Sequence, residues 1–171
     1  MPGHYAIARR QLTSMRVSAF EIVPAETRMP AGVATLAFEA ESEGIRNIAL
    51  LVNQWIDGTQ RYDRPGESLM VAVAAAATPA GERVLGIGGL TWCPDVPGAL
   101  RVRRFYVLPV ARRNGIAQAL ARRLLDGGTQ HSSTFTCNAG ASLAAPLFWE
   151  AMGFRPVDTP GITHVWEHNR T

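Results

Sequence analysis

The chain contains no lysine. All 17 of its basic residues are arginine, against 14 acidic residues, for a formal net charge of +3 over 171 residues. The arginines occur in pairs at 9–10, 103–104, 112–113 and 122–123. Without aromatic interleaving or a larger positive excess, these pairs do not point to nucleic acid as a partner. The protein also cannot modify itself on a lysine amine. Cysteine is scarce: Cys93 and Cys137 show no metal-ligand spacing and no disulfide framework. They read as reduced thiols, and no metal is expected. No apolar run reaches the ~18 residues needed to cross a bilayer, so no membrane partner is expected. Arg9 and Arg10 are not followed by an apolar segment, which argues against a secretory signal and for a cytoplasmic location.

What remains is ordinary for a globular protein. With 47% hydrophobic residues and 171 positions, the chain can build one sizeable core. Residues 1–15 show no clear period and are expected to be a mobile tail. Residues 16–171 are expected to form one domain.

Hydrophobic periodicity predicts the order of elements. Residues 16–24 read as a first strand. Residues 30–40 read as a helix entered through Pro30, and residues 41–57 as a second helix that stops at Gly58. A hairpin follows, with strands over 69–76 and 83–92 and a turn at 78–81. Residues 99–108 predict a long strand, and 115–125 a helix that ends at Asp126-Gly127-Gly128. Residues 132–137 predict a strand, and 142–152 a helix with Ser142 as N-cap and Gly153 as stop. Short strands over 154–157 and 163–168 flank the turn Pro160-Gly161. A mixed sheet with helices on its faces satisfies this order.

The most informative stretch runs from Phe105 to Leu120. It reads as a buried strand, an arginine-rich turn and a helix whose first residues include Gly115 and Ala117. Helix N-termini offer unpaired N–H groups and a favourable dipole to anions. Gly115 allows close approach of a ligand to the backbone, and Arg112 and Arg113 add positive charge. Together these point to a diphosphate cradle, with an ordinary helix start as the alternative.

The spacing Arg112-x-x-Gly115-x-Ala117 resembles the acyl-CoA diphosphate motif of the GNAT superfamily of N-acyltransferases, (Gln/Arg)-x-x-Gly-x-(Gly/Ala). The preceding Phe105-Tyr106-Val107-Leu108-Pro109 resembles the end of that family's fourth strand. The block from Ala145 to Phe154 is similar to its helix ending in aromatic-Glu-x-x-Gly-Phe. The two motifs cover roughly residues 83–158. The resemblance implies a mixed, mostly antiparallel twisted sheet of about seven strands. Helices cover both faces, and strands four and five splay apart to admit the pantetheine arm. It implies acetyl-CoA as co-substrate and a small-molecule amine as acceptor, with direct transfer in a ternary complex. A homodimer through the last strands is also compatible with it. The alternative function is a catalytically silent acyl-CoA-binding sensor.

Carried over residue by residue, the resemblance assigns cofactor contacts to Tyr106, Val107, Leu108, Arg112, Arg113, Asn114, Gly115, Ile116 and Ala117. It adds Asn138, Ser142, Phe148 and Trp149. The family's frequent acid, a Tyr, is replaced here by Trp149, whose indole is not a usable acid. Its fourth-strand Glu is also missing. The catalytic residue is left open by these departures. Glu43 and Asn138 are candidates, Asn138 also reading as a turn residue. Glu39, Glu41, Tyr62, Asp57, Cys137, His164 and His168 are more remote possibilities. Alternation places Arg101, Arg103 and Phe105 on one face of the strand and Arg104 on the other. Arg101 and Arg103 are candidates to bind an anionic acceptor, or else solvated edge residues.

Overall fold

The computed structural model describes residue 17, residues 19–76 and residues 83–169. The expected tail over 1–15 and the turn over 78–81 lie outside the described residues. The elements follow in the order β1 (Phe20–Pro24), α1 (Val33–Ser42), α2 (Asn47–Asp57), β2 (Ser68–Ala74), β3 (Val84–Trp92) and β4 (Leu100–Val107). After a short 3-10 turn at Pro109–Ala111 come α3 (Ile116–Gly128), β5 (Thr134–Cys137), α4 (Ala145–Ala151), β6 (Arg155–Thr159) and β7 (Ile162–Glu167).

The seven strands form one sheet in the order β1-β2-β3-β4-β5-β7-β6. Every pairing is antiparallel except β4 with β5. That parallel contact is short. It joins Leu100, Val102 and the residue between them to Phe135 through Cys137, and then stops. The remaining half of β4 therefore has β3 on one side and no strand on the other. This is the expected splay.

Two large clusters of buried residues make up most of the core. One gathers α1, α2, β2 and β3 with the end of β4, around Leu36, Ile48, Leu51, Val71 and Ile87. The other packs α3 and α4 on β4 and β5, around Leu124, Phe135, Trp149 and Phe154. Glycines on β3 let these layers approach closely. A Cβ on Gly88 would meet Phe105 at 2.8 Å, and one on Gly89 would meet Tyr62 at 2.6 Å.

Four helix boundaries differ from expectation, each for a local reason. Helix α1 starts at Val33, whose N–H bonds to the Pro30 carbonyl at 3.1 Å, so Pro30 lies in the turn before it. The helix expected over 41–57 is broken. Gly44 at φ +80° ends α1, with bonds from Gly44 N–H to Glu41 and from Ile45 N–H to Ala40. That paired closure is a Schellman motif. Helix α3 runs through Asp126, Gly127 and Gly128 instead of stopping there. Gly128 is needed for packing, because a Cβ would sit 2.6 Å from Phe135 and 2.7 Å from Leu90. Helix α4 begins at Ala145, not Ser142, although the Ser142 hydroxyl still accepts from Ala145 N–H at 3.2 Å.

Candidate active site

The site grows out of the end of β4. Leu108 N–H donates to the Leu85 carbonyl at 2.9 Å, while Val107 stands opposite Gly86. In an antiparallel ladder, the residue next to a bonded pair turns its own N–H and C=O away from the partner strand. Val107 therefore points both groups toward the side that β5 leaves unpaired. The chain then makes the 3-10 turn. Arg113 adopts φ +65° and Gly115 φ +77° before α3 begins. Asn114 staples this loop: its Nδ2 donates to the Ala111 and Arg112 carbonyls at 2.9 and 3.1 Å, and its Oδ1 accepts from Val17 N–H at 3.3 Å.

The first intrahelical bond of α3 runs from Ala119 N–H to the Gly115 carbonyl at 3.0 Å. The N–H groups of Ile116, Ala117 and Gln118 thus have no acceptor within the helix, and they carry the positive end of its dipole. They border a cavity of about 240 Å³ lined by Val107, Ala111, Arg112, Arg113, Gly115, Ile116, Ala117, Gln118 and Phe148. A Cβ on Gly115 would meet nothing within 4 Å, so this glycine faces open space. The sequence expectation thus brings Val107, Arg112, Arg113, Gly115, Ile116, Ala117 and Phe148 to one cavity. Ala111 and Gln118 were not anticipated. Gln118 is the third residue of the helix and was legible from helix geometry alone.

Arg112 departs from its expected use as free charge. Its Nη2 bonds Glu43 Oε1 and Oε2 at 2.9 and 2.8 Å, its Nε donates to the Val107 carbonyl at 3.1 Å, and its guanidinium lies 5.6 Å from the Tyr106 ring centre. The Tyr106 hydroxyl donates to Glu43 Oε1 at 3.3 Å. Burial, reinforced by the Glu43 charge, pushes the Tyr106 phenol up to about 12. Glu43 is thus the anchor of a clamp on the end of β4.

The family model for the acetyltransferase (GNAT) domain matches residues 56–168. The chain belongs to the GNAT acetyltransferase family. This makes it an acyltransferase. No curated protein matches the chain. Among solved structures, it is similar to a candidate acetyltransferase of Exiguobacterium sp. 255-15, with TM-score 0.74, 22% identity, 87% of this chain covered and 93% of that one. A GNAT-family acetyltransferase of Staphylococcus aureus Mu50 aligns at TM-score 0.61 and 12% identity, covering 90% and 100%. A candidate acetyltransferase of Salmonella typhimurium, solved with its cofactor acetyl-CoA, aligns at TM-score 0.63 and 12% identity, covering 90% and 96%. At these identities, the structural likeness is one of fold.

Other anticipated residues of this GNAT domain have local roles. Trp149 is buried at the centre of an aromatic cluster, with Phe148, Phe154 and Phe105 ring centres at 4.9, 5.1 and 5.2 Å. Asn138 donates to the Gly161 carbonyl at 3.1 Å and accepts from Gly140 N–H at 2.9 Å, so both ends of its amide serve turns. His164 is buried, with Nε2 3.2 Å from Glu150 Oε1 and Nδ1 2.9 Å from Thr163 Oγ1, which ties β7 to α4. Burial pushes the Cys137 thiol up to about 12, far above the ~8.5 of an ordinary thiol, so it is a poor proton donor to a departing thiolate. Among the described residues, no cluster of three or more His, Cys, Asp or Glu side chains could hold a metal ion, and no helix is long and apolar enough to cross a membrane.

One more correction concerns β4. Arg103 opposes Gly89 and Tyr106 opposes Ile87, so three steps of β4 match two of β3. This is a β-bulge, and Arg104 carries it at φ +57°. The bulge reverses the alternation after Arg103. Phe105 turns to the face of Gly88, Trp149 and α3, away from Arg103, while Arg104 reaches Gln54 of α2 at 3.3 Å.

Proposed function

We propose that this protein transfers an acetyl group from acetyl-CoA to the amine of a small-molecule acceptor, by direct attack within a ternary complex. The observation that carries this reading is the continuity of two features. The helix-start cavity opens beside the stretch of β4 that has no strand partner on its β5 side, where Val107 N–H points outward. In this reading, the N–H groups of Arg113, Asn114, Gly115, Ile116 and Ala117, with Gln118, hold the diphosphate. The pantetheine arm runs along the backbone of Tyr106, Val107 and Leu108 beside Phe148, with Trp149 packed behind it. Val107 N–H polarises the thioester carbonyl, as oriented backbone donors do for acyl transfer in general. Asn138 and Ser142 support the rim through their turns. Glu43 acts by positioning and not as a base. The neutral amine attacks the carbonyl carbon, the C–S bond breaks, and the amine's proton leaves for the thiolate or for water.

The acceptor side belongs to Arg101 and Arg103. The reading extends to a cytoplasmic enzyme without a metal or a nucleic-acid partner, with the edge strand β6 left for a homodimer contact. Calorimetry with acetyl-CoA, followed by CoA release across a panel of small amines, tests it. Binding and turnover support the enzyme. Binding with no turnover for any amine favours a regulatory acyl-CoA-binding module instead.

A further inference from the structure

The bulge in β4 gathers positive charge. Arg101 and Arg103 share the face of β4 that carries Tyr106 and looks toward Gly89 and Thr91 of β3. Arg104 joins them through its bond to Gln54. All three are partly buried. Among the described residues, none of them forms an ion pair. Glu67, whose charge reaches Tyr62, is itself engaged: it pairs with Arg64 at 3.5 Å and accepts from Trp92 N–H at 3.4 Å. The Arg104 guanidinium is held below its ordinary range, chiefly by burial and then by repulsion from Arg103, with a further contribution from Arg101.

A solvated edge would satisfy its polar atoms with water. This face does not. Thr91 Oγ1 and Thr136 Oγ1 are buried without a hydrogen-bond partner, while the Tyr62 hydroxyl and the Arg104 guanidinium lie against each other. Thr91 and Thr136 stand opposite Arg101 on the two neighbouring strands. Unpaired buried hydroxyls are costly, and they recur where a ligand completes the site. Position adds to the argument. The parallel pairing of β4 and β5 ends at Val102, so Arg103 stands where the sheet begins to open. The helix-start cavity lies toward α3 and α4, and the arginines lie on the opposite face of the same gap.

We propose that this arginine face is an acceptor subsite that binds a carboxylate carried by the acceptor amine, with Arg103 and Arg101 as its ligands and Arg104 and Tyr62 as the layer behind them. Guanidinium groups match a carboxylate with paired hydrogen bonds. Arg103 stands opposite Gly89 and Val107 opposite Gly86, three residues apart on β3, a separation of about 10 Å before side-chain reach is counted. A small amino acid spans what remains of that distance once the Arg103 side chain reaches along the strand. Its amine reaches Val107 while its carboxylate stays at Arg103.

The proposal rests on the acetyltransferase reading for its substrate, and its test separates the two. ε-Aminocaproate and its amide are compared as acceptors, with CoA release as the readout, in wild type, Arg103→Gln, Arg101→Gln and Arg103→Lys. Caproate, which has no amine, is titrated by calorimetry as a binding probe that needs no turnover. We expect wild type to prefer the acid over the amide by about tenfold or more in kcat/KM. Arg103→Gln should nearly abolish that preference, and Arg103→Lys should keep part of it, with KM for acetyl-CoA unchanged in both. Caproate should bind wild type and Gly115→Val alike, and Arg103→Gln at least about fivefold more weakly. Equal use of acid and amide by wild type, no caproate binding, or equal caproate binding by folded Arg103→Gln would each overturn the subsite. Arg103-dependent caproate binding with no CoA release from any amine of the panel would keep the subsite and overturn the transferase reading alone.

Discussion

Glu43 and Arg112 stand 69 residues apart in sequence and meet through two short hydrogen bonds, at 2.9 and 2.8 Å. The contact joins the end of α1 to the loop that starts α3. Because Arg112 also holds the Val107 carbonyl and covers Tyr106, one ion pair fixes the part of β4 where the acyl carbonyl is proposed to sit. Both partners are substantially exposed, so the pair itself adds at most about 1 kcal/mol to stability. Its value is geometric.

That geometry yields a first prediction. A carboxylate with three of its four lone pairs engaged by Arg112 and the Tyr106 hydroxyl is poorly placed to take a proton from an amine. Glu43→Gln should lower kcat/KM by less than about tenfold and leave the shape of the pH–rate profile unchanged. A general base would instead show a loss of ~100- to 10,000-fold, with the limb of the profile that reports its ionisation removed. Initial rates across pH in the two proteins decide between these roles.

Gly115 makes a second prediction possible, because two of its properties can be separated. Its φ of +77° penalises any side chain by about 1–2 kcal/mol, and its open face allows close approach of a ligand. Gly115→Ala should therefore lose stability yet keep most affinity for acetyl-CoA. Gly115→Val should lose stability and weaken acetyl-CoA binding by about tenfold or more, since its branches fill the space beside the N–H groups. Thermal unfolding reads the first effect and calorimetry the second. Wild-type affinity in folded Gly115→Val would remove the cradle from the proposed function.

Legibility in the sequence followed the range of the physics involved. The strand–turn–helix over 105–120 was readable because its determinants are adjacent: Pro109, Gly115 and the small Ala117 act within a few residues. The order of strands followed from periodicity, and the helix stops at Gly58 and Gly153 from the need for positive φ. The break at Gly44 was hidden because apolar spacing continues through it, and Gly128 misled because it serves packing and not termination. The bulge at Arg104 was invisible, since nothing in Arg101-Val102-Arg103-Arg104 marks an extra residue. The Glu43 clamp on Arg112 and the burial of Tyr62 against Gly89 depend on contacts between distant segments. For the same reason, Arg112 read as free phosphate-binding charge when its side chain is already engaged.

Trp149 supports a third prediction. Its ring contacts on three sides assign it to packing, and indole has no accessible acid function. Trp149→Phe should keep the rate of the chemical step within about tenfold while lowering stability by about 1–3 kcal/mol through the cavity it leaves. Single-turnover kinetics beside denaturant unfolding would show both. A loss of about 100-fold in the chemical step, in a folded protein, would mean that the indole acts on the reacting atoms after all.

Cys137 supplies the last prediction, which concerns stability and not catalysis. Burial pushes its thiol up to about 12, whereas in the unfolded chain it ionises near ~8.5. Below about pH 8 both states hold the proton, and the site contributes nothing to pH dependence. Between about pH 9 and 12 the unfolded state releases the proton and the folded state keeps it, so stability must fall as pH rises. Tyr106 acts in the same direction over the upper part of that range, from its ordinary value of 10.0 to about 12. Removing the thiol isolates its share. Cys137→Ala should be less stable than wild type at pH 7, because it leaves a small void in the core beside Phe135 and Trp149. Yet the gap between the two proteins should narrow as pH rises from 8 to about 11, since only wild type loses the thiol contribution. Thermal unfolding of both at matched pH values measures that difference directly, and every other titrating group cancels in it. A constant gap across the range would mean that Cys137 ionises as easily in the folded protein as in the unfolded chain.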